Sequence, residues 1–190
     1  MGKNTFLMMG RPGAGKGTQA QLLAEKVGAG MYSTGERCRA FAAEGTYFGG
    51  LVKKVIDAGD LMPEWFSIYL FEDKMIRLEP GDAVVFEGAG RKLLEAQRFH
   101  DTLSWIKRPY TVVYLDAKEE VLRERLLKRA REQGRADDAA KAIELRFKRF
   151  KEFTEPSIEF FRSQDVVIDI NADQPVERVY QEILSKLGLS

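Results

Sequence analysis

The sequence predicts an α/β chain, with one central parallel sheet carrying helices on both faces. Three observations carry this. Short apolar runs without polar alternation recur along the chain, as strands covered on both faces do. Stretches of helical length and period lie between them. The first apolar run leads at once into a glycine-rich loop that opens a helix. The 190 residues suffice for one sizeable core, 1–190, with a small insert.

The elements follow in order. Residues 6–9 form a strand, and 18–27 a helix. Residues 32–63 fit the alternation poorly. They hold Gly35, Gly45, Gly49, Gly50 and Gly59 among short helical pieces and read as a small insert, its glycines serving as hinges or ordinary caps. Residues 64–77 are a helix with Trp65, Phe66, Tyr69, Leu70 and Met75 as apolar positions. The runs 83–86 and 111–115 are strands, and 119–131 a helix. Residues 139–153 are a helix whose stripe Ile143, Phe147, Phe150 has the spacing of a core face. A strand at 166–170 and a helix at 176–187 close the chain. Strands alternating with helices imply right-handed crossovers and a parallel sheet.

Charge and composition exclude several functions. Lys plus Arg is 30 and Asp plus Glu 29. That balance argues against a nucleic-acid binder held by bulk positive charge. No run approaches the roughly 20 apolar residues of a membrane span. The one cysteine, Cys38, and the one histidine, His100, exclude an internal disulfide and a multi-Cys/His zinc site. Chemistry falls to lysine, arginine, carboxylates, hydroxyls and backbone. His100 reads as a surface or cap residue. Cys38 reads as a packing thiol, although Arg37 and Arg39 beside it would lower its pKa. The lone cysteine and the lack of a leader predict a cytoplasmic protein.

The strongest signal is Gly10-Arg11-Pro12-Gly13-Ala14-Gly15-Lys16-Gly17-Thr18-Gln19. Glycines let successive backbone N–H groups curl around an anion, the helix start adds its positive dipole end, and Lys16 brings a full charge to the β/γ-phosphates. One detail departs from the generic loop. Gly17 follows the lysine, and the hydroxyl comes one position later at Thr18.

That loop resembles the one of adenylate kinase and its nucleoside monophosphate kinase relatives, and further motifs follow in the family's order. Ser33-Thr34-Gly35-Glu36-Arg37-Cys38-Arg39 and Gly59-Asp60-Leu61-Met62-Pro63-Glu64 resemble the two ends of the monophosphate-binding insert, here 33–62. Glu87-Gly88-Ala89-Gly90-Arg91 stands where the family has Asp-Gly-Phe-Pro-Arg. Arg125 to Arg129, Gly134-Arg135-Ala136-Asp137-Asp138 and Arg146 resemble the lid region and the helix after it. Thr154-Glu155-Pro156 matches the family's Thr-x-Pro, and Asn171-Ala172 sits in the last loop. The resemblance implies a P-loop NTPase three-layer sandwich with a five-stranded parallel sheet, a helical acceptor insert and a minimal lid loop at 130–137.

It also implies roles. ATP and a nucleoside monophosphate are the partners, with Mg2+ accompanying ATP. Gly10, Gly13, Ala14, Gly15, Lys16, Gly17, Thr18, Arg125 and Ala172 would bind ATP, Arg125 by stacking on the adenine. Thr34, Gly35, Arg39, Met62, Gly88, Arg91, Glu95, Arg135 and Arg146 would bind the monophosphate. Lys16, Arg91, Arg129, Arg135 and Arg146 would carry the transfer. Glu87 would hold magnesium through water. The stretch 123–149 holds ten basic and five acidic residues. Arg123, Lys128, Arg131, Lys148 and Arg149 read as an ordinary solvated face.

The acceptor base is contested within the sequence. Thr34 resembles adenylate kinases, where UMP/CMP kinases tend to carry Ala. Glu95 stands where the family usually has Gln. An amide both accepts from adenine N6 and donates to N1, whereas an ionised carboxylate only accepts and suits guanine's donors better. AMP is the expected acceptor. A guanine-tolerant kinase and a non-catalytic nucleotide-binding regulator are the alternatives.

Overall fold

A computed structural model of the chain describes residues 5–133 and 139–189. Five parallel strands form one sheet: β1 (Thr5–Gly10), β2 (Gly30–Ser33), β3 (Val84–Glu87), β4 (Tyr110–Asp116) and β5 (Val167–Asn171), in spatial order β2-β3-β1-β4-β5. The four apolar runs are all strands. The fifth, β2, falls at the start of the stretch assigned to the insert. It is short, it begins on an exposed glycine, and its outer edge pairs with nothing described, so it lacks the continuous apolar run of a buried strand.

The helices are α1 (Lys16–Val27), α2 (Thr34–Ala43), α3 (Tyr47–Ala58), α4 (Glu64–Met75), α5 (Leu93–Trp105), α6 (Glu119–Gln133), α7 (Ala140–Arg149), α8 (Glu155–Ser163) and α9 (Val176–Leu187). Strand residues alternate between two cores. Phe6, Met8, Val85, Val113, Leu115 and Ile170 pack with residues of α1, α6, α7 and α9. Leu7, Met9, Val84, Phe86, Val112 and Tyr114 pack with residues of α4, α5 and α8. Two helical layers therefore cover one sheet, as expected of a parallel sheet with crossovers on both faces.

The insert has local causes. Ser33 caps α2 by accepting from the Glu36 N–H at 3.3 Å, and Thr46 caps α3 by accepting from the Gly49 N–H at 2.9 Å. Between them α2, α3 and α4 bury a small core of their own: Cys38, Val52, Met62, Phe66 and Leu70.

Two expectations change. The helix expected at 139–153 ends as an α-helix at Arg149, continues through a wide π turn (Phe150–Thr154), and passes straight into α8. Its apolar stripe serves two cores: Ile143 and Phe147 face one side of the sheet, Phe150 the other. The lid loop expected at 130–137 is helical as far as Gln133, within α6, and 134–137 lie outside the described residues.

Phe99 on α5 is the hub of the second core. It is fully buried and meets the rings of Phe71, Phe86, Tyr110 and Phe161 edge-on, with centroids 5.4–6.1 Å away. Phe99→Ala is expected to cost about 3–5 kcal/mol of unfolding free energy, read by urea denaturation.

Candidate active site

The carboxyl ends of β1, β2 and β3 open onto one cleft of about 390 Å3. This is where open parallel sheets place ligands. Gly10, Gly13, Gly15, Lys16, Gly17 and Thr18 line it from the first loop. Thr34, Gly35, Arg39 and Met62 line it from the insert, Glu87, Gly88, Arg91 and Glu95 from the end of β3 and the start of α5, and Arg129 and Arg146 from α6 and α7. Residues far apart in sequence thus converge on one space.

Lys16 folds back over its own loop, donating to the carbonyls of Gly10 at 2.8 Å and Arg11 at 2.9 Å. Its pKa is lowered to about 7, first by burial and then by Arg91, Arg146 and Arg129, against the attraction of Glu87. Glu87 shows the opposite balance. Burial alone would raise its carboxyl, but Arg91, Lys16, the Ser33 hydroxyl and Arg39 together hold it below the ordinary carboxylate range. Ser33 and Glu87 are direct neighbours in the β2–β3 register, and the hydroxyl donates to Oε2 at 2.8 Å. The residue that caps the insert's first helix therefore also steadies the cleft's central anion.

The loop after β3 takes a course that the family's proline could not. Gly90 has φ +65°, outside the range open to proline, and the Ser157 hydroxyl donates to its carbonyl. Gly88 has φ +85°, and a Cβ there would stand 3.1 Å from Nη2 of Arg91. The guanidinium lies against bare backbone.

Glu95 lies on the cleft wall, 2% exposed. Its Oε2 accepts from the Arg91 N–H at 2.9 Å and, more weakly, from the Lys92 N–H at 3.4 Å, which closes the first turn of α5. Burial pushes its carboxyl up, and the N–H groups and charges of Arg91 and Lys92 pull it back only in part.

Ala14, Arg125 and Ala172 are not among the residues that line this cleft. Ala14 turns its methyl into the core beneath the loop. Arg125 and Ala172 bond to each other, Nη1 to the carbonyl at 3.0 Å. Arg135 lies outside the described residues.

Two arginines assigned to a solvated face do more than that. Arg123 bridges Glu119 on α6 and Glu144 on α7 and lies over the Phe147 ring. Arg149 grips both oxygens of Asp60, at 2.7 and 3.1 Å, and so ties the end of the insert to α7. Lys128, Arg131 and Lys148 are exposed as expected. Lys92 was missed: its Nζ donates to the Met62 carbonyl at 3.1 Å, and with Arg149 it flanks the Phe153 ring. A lone lysine with no motif gives no sequence signal for this. Burial raises the Cys38 thiol and outweighs its cationic neighbours, so packing is its role. His100 is not a cap residue, since it lies within α5. It stands half-buried between the Tyr110 hydroxyl, 2.9 Å from Nδ1, and Ser104, away from the cleft lining.

Comparison with known proteins gives a consistent answer. Residues 8–166 match the family model described as Adenylate kinase. The chain is 36% identical over 187 residues to an adenylate kinase of Prochlorococcus marinus, covering 98% of this chain and all of the relative. It is 34% identical over 183 residues to an adenylate kinase of Leptospira biflexa (96% and 98% covered), and 34% identical over 184 residues to one of Thermus thermophilus (96% of each).

The Lys16 charge leaves a signature in stability. Between pH 7 and 10.5 the unfolded lysine holds a proton that the folded one has lost, so the unfolded state binds more protons and stability gains with pH. Urea denaturation at pH 7 and pH 9 is expected to show wild type gaining on Lys16→Met across that interval.

Proposed function

The chain belongs to the adenylate kinase family and is a phosphotransferase acting on ATP and AMP; from that premise we propose how its residues divide the work. The observation that carries the reading is the convergence on one cleft of a phosphate loop with Lys16 and of four arginines from different elements: Arg39, Arg91, Arg129 and Arg146. The guanine-tolerant and non-catalytic alternatives are not favoured by these relatives.

Transfer between two nucleotides needs alignment, charge neutralisation and exclusion of water rather than a covalent intermediate. The accepting oxygen of AMP is already anionic at neutral pH, so no general base is required. In our reading the backbone N–H groups of 10–18 and Lys16 hold the β- and γ-phosphates of ATP. Arg125, fixed by the Ala172 carbonyl, stacks on the ATP adenine. Arg39 and Arg91 grip the AMP phosphate through paired N–H groups. Arg129, Arg146 and the sequence-assigned Arg135 neutralise the moving phosphoryl group. Thr34, Gly35, Met62, Gly88 and Glu95 enclose AMP. The division into an acceptor insert at 33–62 and a short lid beyond the end of α6 belongs to the same proposal.

The donor set fits a hydrated magnesium ion that arrives with ATP. Among the described residues no group of three or more His, Cys, Asp or Glu could cage a metal. Glu87 nevertheless keeps an ionised carboxylate on the cleft, and Thr18 offers a hydroxyl there. These two would hold the ion through water, and the ion would neutralise charge on the ATP phosphates. Among the described residues no helix is long and apolar enough to cross a membrane. A cytoplasmic location, supported by the single free cysteine, remains part of the reading.

The test is ADP formation from ATP, magnesium and each of AMP, GMP, CMP, UMP and dTMP. AMP is expected to be used best, and a clear preference for another acceptor would overturn the adenylate reading. Lys16→Ala and Arg91→Ala are each expected to lower kcat by about 10²–10³-fold, the usual cost of removing one preorganised charge or donor from the reacting centre.

A further inference from the structure

The AMP reading leaves one cleft residue in chemical conflict with it. Adenine presents an acceptor at N1 beside a donor at N6, and an ionised carboxylate can only accept. Glu95 is nevertheless buried on the cleft wall that Thr34, Met62 and Ser67 also line. It cannot swing away cheaply, because Oε2 is held by the Arg91 and Lys92 N–H groups at the first turn of α5. Its other oxygen, Oε1, has no hydrogen bond among the described residues.

We propose that Glu95 reads the acceptor base as a neutral carboxylic acid, taking up a proton as AMP binds. Oε2 remains the carbonyl-like acceptor of the two backbone N–H groups. Oε1 carries the proton and donates it to N1 of the adenine. The proton comes from solvent, and no bond other than O–H forms. The N6 amino group is left to an acceptor oxygen. Thr34 Oγ1, buried on the same cleft without a partner among the described residues, is available. This inference rests on AMP being the acceptor.

The surroundings permit the neutral form. Arg91 and Lys92, on Glu95's own segment, favour the ionised carboxylate, and burial outweighs them. From α2, Cys38 is itself kept neutral by burial, and Arg39 adds a positive charge beside it. From α4, Ser67 brings no charge to this cleft. AMP tips the balance further, since its N1 lone pair repels a carboxylate and rewards an O–H donor.

Two measurements on the full-length protein test this between pH 6 and 9: AMP-binding calorimetry in buffers of different ionisation heat, and the KM for AMP. Above the pKa of Glu95 in the free enzyme, AMP binding is expected to draw in a proton, and the KM for AMP to rise about tenfold per pH unit until the complex itself ionises. Below that pKa the KM is at its low plateau. GMP, whose N1 carries a hydrogen, is expected to trend the opposite way. Glu95→Gln supplies an N–H donor and keeps an acceptor for the Arg91 N–H, so its AMP profile is expected to follow only the ionisation of the AMP phosphate. Parallel profiles and equal proton uptake in wild type and Glu95→Gln would overturn the proposal. Should the variant fail to fold, wild-type AMP and GMP profiles that run parallel would overturn it equally. A protein that makes ADP from AMP yet shows parallel profiles loses this inference alone, whereas one that makes no ADP from AMP loses the functional reading beneath it.

Discussion

The buried negative charge of Glu87 is the constraint around which the rest of the structure is arranged. At the carboxyl edge of the sheet, burial loosens the proton on Lys16 first, and the positive charges of Arg91, Arg146 and Arg129 add to it. Two like charges 4 Å apart cost about 4 kcal/mol even in a moderately polar protein environment. One carboxylate, steadied by Ser33, offsets part of that cost and keeps the cations facing inward.

Holding such a cluster requires rigid supports that do not share a single element. Arg91 is placed by the turn after β3 and by the Glu95 carboxyl at the start of α5. Arg129 rides on α6 and Arg146 on α7, two helices joined by the Arg123 bridge between Glu119 and Glu144. The insert is pinned at both ends. Ser33 anchors its start to Glu87, and the Asp60–Arg149 pair anchors its end to α7. The insert is therefore tied to the helix that carries Arg146 into the cleft.

What was legible in the sequence is what local chemistry writes into contiguous residues. The phosphate loop is readable because anion binding by backbone demands glycines next to one another and a helix start directly after them. Strands β1, β3 and β4 are readable because both of their faces are apolar, whereas β5 lies at the sheet edge with Asp169 and Asn171 exposed and is covered less than its run of Val and Ile suggests. β2 was hidden because it is short and lies at the sheet edge, and α8 because a π turn joins it to α7 without any break in the apolar spacing. The Asp60–Arg149 pair spans 89 positions and has no local signature. Glu95 was read as a base contact from its motif position. Its cap on α5 has no sequence signature, because Lys92, three residues before it, is not a residue type that announces a helix start.

The stretch from Ala140 to Ser163 behaves as one rod that crosses from one helical layer to the other at the end of the sheet. Ile143 and Phe147 root it on one side, and Phe150, Ile158 and Phe161 on the other. Arg146 lies within the first footing, next to Phe147. Loosening of either layer alone would shift Arg146 relative to the other cleft residues while most of the sheet is still intact. A local opening of either layer therefore reaches the lining of the cleft before the sheet as a whole is lost.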